Sequence, residues 1–167
     1  MTLMHCRTRL LFAMCMILGY PSVGQPCSCI AGTLKQEISS AAMVFRGRVI
    51  DIAILPERKE NPRSRQAVTF ATSRWWKGLS SNKITVYVIA PGTDCIGASF
   101  DNGEEYLVFA DAALSRDVFL EHRFWYGWKD VLPEGEPFLT VNNFCDSTAR
   151  VSLARKTLRR LGRGTKP

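Results

Sequence analysis

The 167-residue sequence predicts a mainly β fold, a small antiparallel barrel with a helix near each end. Three observations carry that prediction. Apolar residues alternate with polar ones in several short stretches, which is the period of a half-buried strand. Two segments carry helix-start signals, one before the first strand and one after the last. Four cysteines fall in the part of the chain expected to be secreted, and disulfides of that kind staple small domains.

The chain opens with a short positive stretch, residues 1–9, then eleven apolar or small residues, 10–20, then Pro21 and Ser22-Val23-Gly24. This is the pattern of a secretion signal over residues 1–24, cut after Gly24, with residues 25–167 as the folded domain. A helix of that apolar length rises about 16 Å, against roughly 30 Å of hydrocarbon, so no membrane span is expected. The expected localisation is secreted, extracellular or periplasmic.

Thr33-Leu34-Lys35-Gln36 reads as a capping box that opens a short helix to about residue 42. In residues 43–55, Phe45, Gly47 and Val49 alternate with Arg46 and Arg48, and then Ile50, Ile52 and Ile54 take over the apolar phase. A phase switch inside one strand predicts a bulge or sharp bend. Residues 56–65 form a charged loop. Residues 67–76 are a second strand, with Val68, Phe70 and Thr72 in alternation, and 77–82 a turn. Ile84, Val86, Val88 and Ala90 give the cleanest period-two run. A loop over 91–103 holds Cys95. Residues 104–111 are a fourth strand around Tyr106, Val108 and Ala110, and 138–141 a short fifth. Asp146-Ser147-Thr148 is placed to cap a closing helix whose apolar face is Val151, Ala154, Leu158 and Leu161, with Gly162 as its stop. Five strands flanked by two helices fit a barrel of the OB type.

Residues 112–137 fall outside that scheme. They hold Phe119, Phe124, Trp125, Tyr126 and Trp128. An insert of this length is functional or has structure of its own, and a hairpin or lid over one barrel end is the favoured reading, ahead of an aromatic binding surface.

Cys6 and Cys15 leave with the signal, so Cys27, Cys29, Cys95 and Cys145 remain. An even number in an oxidising compartment implies two disulfides. Pairing Cys27 with Cys29 is disfavoured by ring strain, which leaves two long-range crosslinks from the N-terminus. A four-cysteine zinc site needs paired C-x-x-C spacing that is absent here.

The charge of +7 and pI of 9.3 come from the ends. Residues 150–167 carry seven basic groups and no acid, whereas 25–149 carry thirteen basic and fifteen acidic groups. That does not describe a nucleic-acid-binding domain, although Trp75, Trp76 and Tyr87 are the stacking groups such a barrel would use. The basic closing helix reads first as a solvated face and second as a grip for anionic glycan or lipid head groups. Two histidines, His5 and His122, cannot build a His-rich zinc centre, and GxGxxG, GxxxxGK[ST] and GxSxG are absent. Glu104 and Glu105 are adjacent, so on a strand they face opposite sides and make no catalytic pair. No enzyme activity, no cofactor and a monomer are expected.

One resemblance joins these residues. Cys27-Ser28-Cys29-Ile30 after a signal, a helix, Val44-Phe45-Arg46-Gly47-Arg48-Val49, Trp76-Lys77-Gly78 and Cys95-Ile96-Gly97 occur in that order. Residues 100–109, FDNGEEYLVF, and Cys145 before a final helix complete the set. The pattern resembles the netrin-like module of the tissue inhibitors of metalloproteinases, in its short single-domain form. The resemblance implies an OB barrel with Cys27–Cys95 and Cys29–Cys145 bridges. It implies a partner, a zinc metalloprotease, and an inhibitory wedge. In that family the mature chain begins at the first cysteine, whose α-amino nitrogen and carbonyl oxygen chelate the protease zinc. Ser28 would enter the specificity pocket, with Cys29 and Ile30 behind it and Thr93-Asp94 alongside. Catalytic zinc keeps an open position, and one residue's amine and carbonyl close an unstrained ring on it. The sequence departs from the family in one respect: cleavage after Gly24 leaves Gln25-Pro26 ahead of Cys27, whose nitrogen is then an amide. The alternative reading is a secreted netrin-like binding module for a protein or anionic glycan, without protease inhibition.

Overall fold

In a computed structural model of the chain, the described residues are 32–55, 64–78, 80–89, 98–112, 138–141 and 147–167. The elements are α1 (Leu34–Ser40), β1 (Met43–Leu55), β2 (Arg65–Lys77), β3 (Lys83–Ile89), β4 (Glu105–Ala112), β5 (Leu139–Thr140), β6 (Ala149–Arg150) and α2 (Arg155–Leu161). The fold is mainly β. The strands run β1-β2-β3-β5-β4, and β4 pairs back onto β1, which closes a five-stranded barrel.

The expected antiparallel barrel needs one correction: β3 and β5 are parallel, with Val86 opposite Leu139 and Tyr87 opposite Thr140. Strand direction cannot alternate all the way round a ring of five. With every other pairing antiparallel, one parallel pair must remain.

β1 carries the barrel's curvature. It pairs with β2 on one side and β4 on the other, and its β2 register slips at Val44/Phe45, Arg46/Gly47 and Val49/Asp51. The last slip lies at the predicted phase switch. Before it Phe45 and Val49 face the interior; after it Ile52 packs against the core. Ile54 does not follow, and is 72% exposed where β1 runs past its β4 partner.

Two cores result. Inside the barrel, Phe45, Phe70, Phe100 and Tyr106 form an edge-to-face run with ring centroids 5.4, 5.2 and 4.8 Å apart, packed among Val49, Val68, Val86, Val88 and Val108. Outside it, Val44, Leu107 and Phe109 meet Leu34 and Ala41 at α1 and Ala154 at the start of α2. β4 is therefore buried on both faces, Tyr106, Val108 and Ala110 inward and Leu107 and Phe109 outward.

Helix α1 has the expected capping box. Thr33 Oγ1 accepts from the Gln36 N–H at 3.3 Å, and Gln36 Oε1 accepts from the Thr33 N–H at 2.8 Å. At its other end Lys77 Nζ donates to the Ile38 and Ser39 carbonyls at 2.8 and 2.9 Å, two of the acceptors a helix end leaves open.

The closing helix is shorter than predicted. Asp146 lies outside the described residues, and Thr148 does not cap α2: its Oγ1 accepts from the Phe109 N–H at 2.9 Å. Ala149 and Arg150 pair with Leu107 and Tyr106 as β6. The reason lies in β5, which covers only Asp111 and Ala112 of β4. The rest of that edge would bury unpaired backbone groups, and residues 148–151 supply the partners, including Val151 N–H to the Glu105 carbonyl at 2.8 Å. The chain then turns at 151–154, and α2 runs to Gly162 (φ 76°), the stop read from the sequence.

Beyond α2 the tail folds back on β2. Trp75 and Thr165 exchange backbone hydrogen bonds at 2.9 and 2.8 Å, and Trp76 Nε1 donates to the Gly162 carbonyl at 3.2 Å. Ala112 belongs to β4 opposite Leu139, so the expected 112–137 insert starts one residue later and leaves and returns across one antiparallel pair. Residues 113–137, with all five aromatic residues singled out above, lie outside the described residues, as do 1–31.

Candidate functional site at the base of the cysteine segments

The expected wedge, Cys27, Ser28, Cys29, Ile30, Thr93 and Asp94, and the cysteines Cys95 and Cys145 all lie outside the described residues. What the structure does give is the frame from which two of those segments depart. β3 ends at Ile89 and β5 at Thr140, and the two strands are parallel neighbours. The two strands therefore end side by side and point the same way, with Cys95 following β3 in the sequence and Cys145 following β5.

The described residues that follow each cysteine are also anchored. After the first, the Ala98 N–H donates to the Ile89 carbonyl at 3.0 Å, and Phe100 drops into the barrel core at 7% exposure. After the second, Thr148 and Arg150 are fixed to β4 as described. A polar clamp ties the two anchored stretches together. Arg150 forms an ion pair with the Asp101 carboxylate. Tyr106, buried in the barrel, donates its hydroxyl to the same Asp101 oxygen at 3.1 Å and accepts from the Asp101 N–H at 3.0 Å. The Asp101 carboxyl is held below the usual carboxylate range, first by the hydrogen bond from Arg150 and then by Tyr106. Arg150 is raised above its ordinary value, first by Tyr106 and then by Asp101.

The clamp borders a cleft of about 280 Å³ lined by Ala98, Phe100, Asp101, Tyr106, Val141, Thr148, Arg150 and Leu153. Among the described residues of the cleft, which also include Ser99, no hydroxyl stands beside a histidine or lysine base. Its charged pair is mutually neutralised, which suits positioning rather than proton transfer. Among the described residues no three His, Cys, Asp or Glu side chains gather as metal ligands, and no helix is long and apolar enough to cross a membrane.

A second polar cluster sits on the barrel wall. Arg46 grips Glu105 through Nε and Nη2 at 2.8 and 2.6 Å, and Ser73 Oγ donates to Glu105 Oε1 at 3.1 Å. The Arg46 hydrogen bond, more than any other influence, holds the Glu105 carboxyl below its usual range. The expected strand over 104–111 starts one residue later: Glu104 is exposed and precedes β4, Glu105 is its first residue and is held by Arg46 and Ser73, and both glutamates border one cleft. The suggested stacking groups are not free platforms. Trp75 packs against the barrel core, Trp76 against the helix core, and Tyr87 lies edge-on to Phe138 at 6.1 Å.

Neither cluster was foreseen from the sequence. Asp101 and Arg150 are 49 residues apart, and Arg46 and Glu105 are 59 apart. Only the β1–β4 and β4–β6 registers bring them together, and no local spacing signals that. No protein-family model and no curated protein matches the chain.

Proposed function

We propose that this chain is a secreted inhibitor of zinc metalloproteases, built on an OB-type barrel and acting through Cys27–Ile30. The observation that supports the reading is that β3 and β5, the strands that Cys95 and Cys145 follow in the sequence, are parallel neighbours. Two bridges from one N-terminal C-x-C, Cys27–Cys95 and Cys29–Cys145, need those two targets close together. The barrel order and the two packed helices support the OB assignment. On this reading Thr93 and Asp94 flank the wedge, on a segment whose return is pinned by Ala98, Phe100 and the Asp101–Arg150 clamp. The zinc belongs to the protease; the chain itself needs no cofactor.

The chemistry sets a condition. A free α-amino group binds zinc as the neutral amine, and its unperturbed pKa is about 7.7–8.0. Inhibition by a Cys27 N-terminus weakens as pH falls, because protons compete with the metal. An amide nitrogen behind Gln25-Pro26 cannot take this role. That extension favours the second reading, a secreted netrin-like module that binds a protein or anionic glycan and inhibits nothing.

The experiment compares two preparations, one starting at Gln25 and one at Cys27, against a panel of zinc metalloproteases. Inhibition by the Cys27 form alone establishes the wedge. Equal inhibition by both moves the contact elsewhere on the chain. Inhibition by neither leaves the binding-module reading.

A further inference from the structure

The outer face of α2 and the tail after it carry Lys156, Arg159, Arg160, Arg163 and Lys166, all exposed. None of the five makes an ion pair among the described residues. Of the other nearby cations, Arg150 is paired with Asp101, Arg155 lines a cleft with Glu104 and Glu105, and Arg74 donates to the Arg163 carbonyl at 2.9 Å. On α2, positions 156, 159 and 160 fall within about 100° of arc, while Leu158 and Leu161 point to the other side, into the core shared with β1 and β4. The strip extends toward α1, since Lys35 and Arg160 line one cleft.

Next to this strip stands Leu153, 78% exposed, the most exposed large apolar side chain among the described residues. It lies in the 151–154 turn that feeds directly into α2. Leu153 precedes Lys156 by three residues.

We propose that this face docks on an anionic lipid surface. The cations meet phosphate-bearing head groups, and Leu153 enters the interfacial layer between them. A soluble polyanion would satisfy the cations but offers nothing to an isolated leucine, whereas a bilayer interface accepts both. With one apolar anchor the attachment is reversible and salt-sensitive. The proposal does not rest on protease inhibition: the cations lie on α2, which covers β1 and β4, or on the tail after it, and only Leu153 also borders the cleft beside the Asp101–Arg150 clamp.

The test is co-sedimentation of the full secreted chain with vesicles of phosphatidylcholine alone and of phosphatidylcholine with phosphatidylglycerol, over a series of salt concentrations. The chain is expected to sediment with the anionic vesicles at low salt, to be released as salt rises, and to ignore the neutral ones. The double variant R159E/R160E should abolish binding. Leu153→Ser, which leaves the net charge unchanged, should weaken it several-fold. Far-UV circular dichroism checks folding, and Lys156→Glu replaces the double variant if that one is unfolded. Absence of binding to anionic vesicles overturns the proposal. So does a parent that is retained on dextran sulfate while ignoring the vesicles, which assigns the face to a soluble polyanion; a Leu153→Ser protein that binds the vesicles like the parent overturns the insertion of Leu153.

Discussion

Leu107 offers the sharpest test of how the helices are held. It is 0% exposed, on the outward face of β4, surrounded by Leu34, Val44, Phe109 and Ala154, with Trp76, Leu158 and Leu161 against them. Leu107→Ala removes three carbon atoms from that cluster. At about 0.8 kcal/mol per buried methylene, the transfer loss is about 2.4 kcal/mol. A residual void of about 50 Å³ adds about 1.2 kcal/mol at the cavity rate of about 24 cal/mol per Å³. The expected cost is about 3–4 kcal/mol, a large share of the roughly 5–15 kcal/mol that holds a domain of this size together. Val108→Ala, one residue along and facing the barrel interior, is the control. It removes two carbon atoms and should cost about 2 kcal/mol. Urea unfolding with the cysteines oxidised measures both. Amide exchange separates them: Leu107→Ala should release protection in 34–40 and 155–161 before the strands, and Val108→Ala should not. A Leu107→Ala cost below about 1 kcal/mol, or unchanged exchange in both helices, would show that the outer core does not anchor them.

Four further outcomes are expected. Leu158 is only partly buried, so Leu158→Ala should cost about 1–2 kcal/mol, and Arg159→Ala no more than about 0.5 kcal/mol, by thermal unfolding. Gly164 has φ +60°, and an added Cβ would lie 2.7 Å from Trp76 Cε2 and 3.1 Å from the Trp75 carbonyl; Gly164→Ala should detach the tail at a cost of about 1–3 kcal/mol, seen as a tryptophan fluorescence shift, and an unchanged spectrum would contradict the close approach. Glu105 is lowered in the folded state, chiefly by the Arg46 hydrogen bond; its stabilisation is complete above the ordinary glutamate pKa and is lost as pH falls through the lower folded value, so Glu105→Gln should cost about 1 kcal/mol at neutral pH and little in strong acid. Non-reducing peptide mapping of secreted protein should recover Cys27–Cys95 and Cys29–Cys145, and free thiols there would remove the structural basis of the proposed wedge.

What the sequence determined by itself is local. Ile84, Val86 and Val88 point inward because strand side chains alternate, and no partner is needed to see it. The Thr33–Gln36 box and the Gly162 stop are satisfied within a few residues of themselves. The change of phase near Ile50 marks the β1 slip because a bulge re-phases the strand beyond it, and Ile52 is the side chain that turns to the core. Tertiary structure decided everything that depends on which strand lies beside which. The same apolar run in β4 serves two cores, because β1 closes the barrel on one edge and the helices cover the outer face. The residues read as a cap for α2 were drawn instead to the β4 edge that the short β5 leaves open. The parallel β3–β5 pair follows from closing a ring of odd number. The Asp101–Tyr106–Arg150 clamp and the Arg46–Glu105 pair exist only through strand register. A backbone donor at a sheet edge must be paired wherever the partner lies in the chain, and a sequence pattern records periodicity but not the identity of that partner.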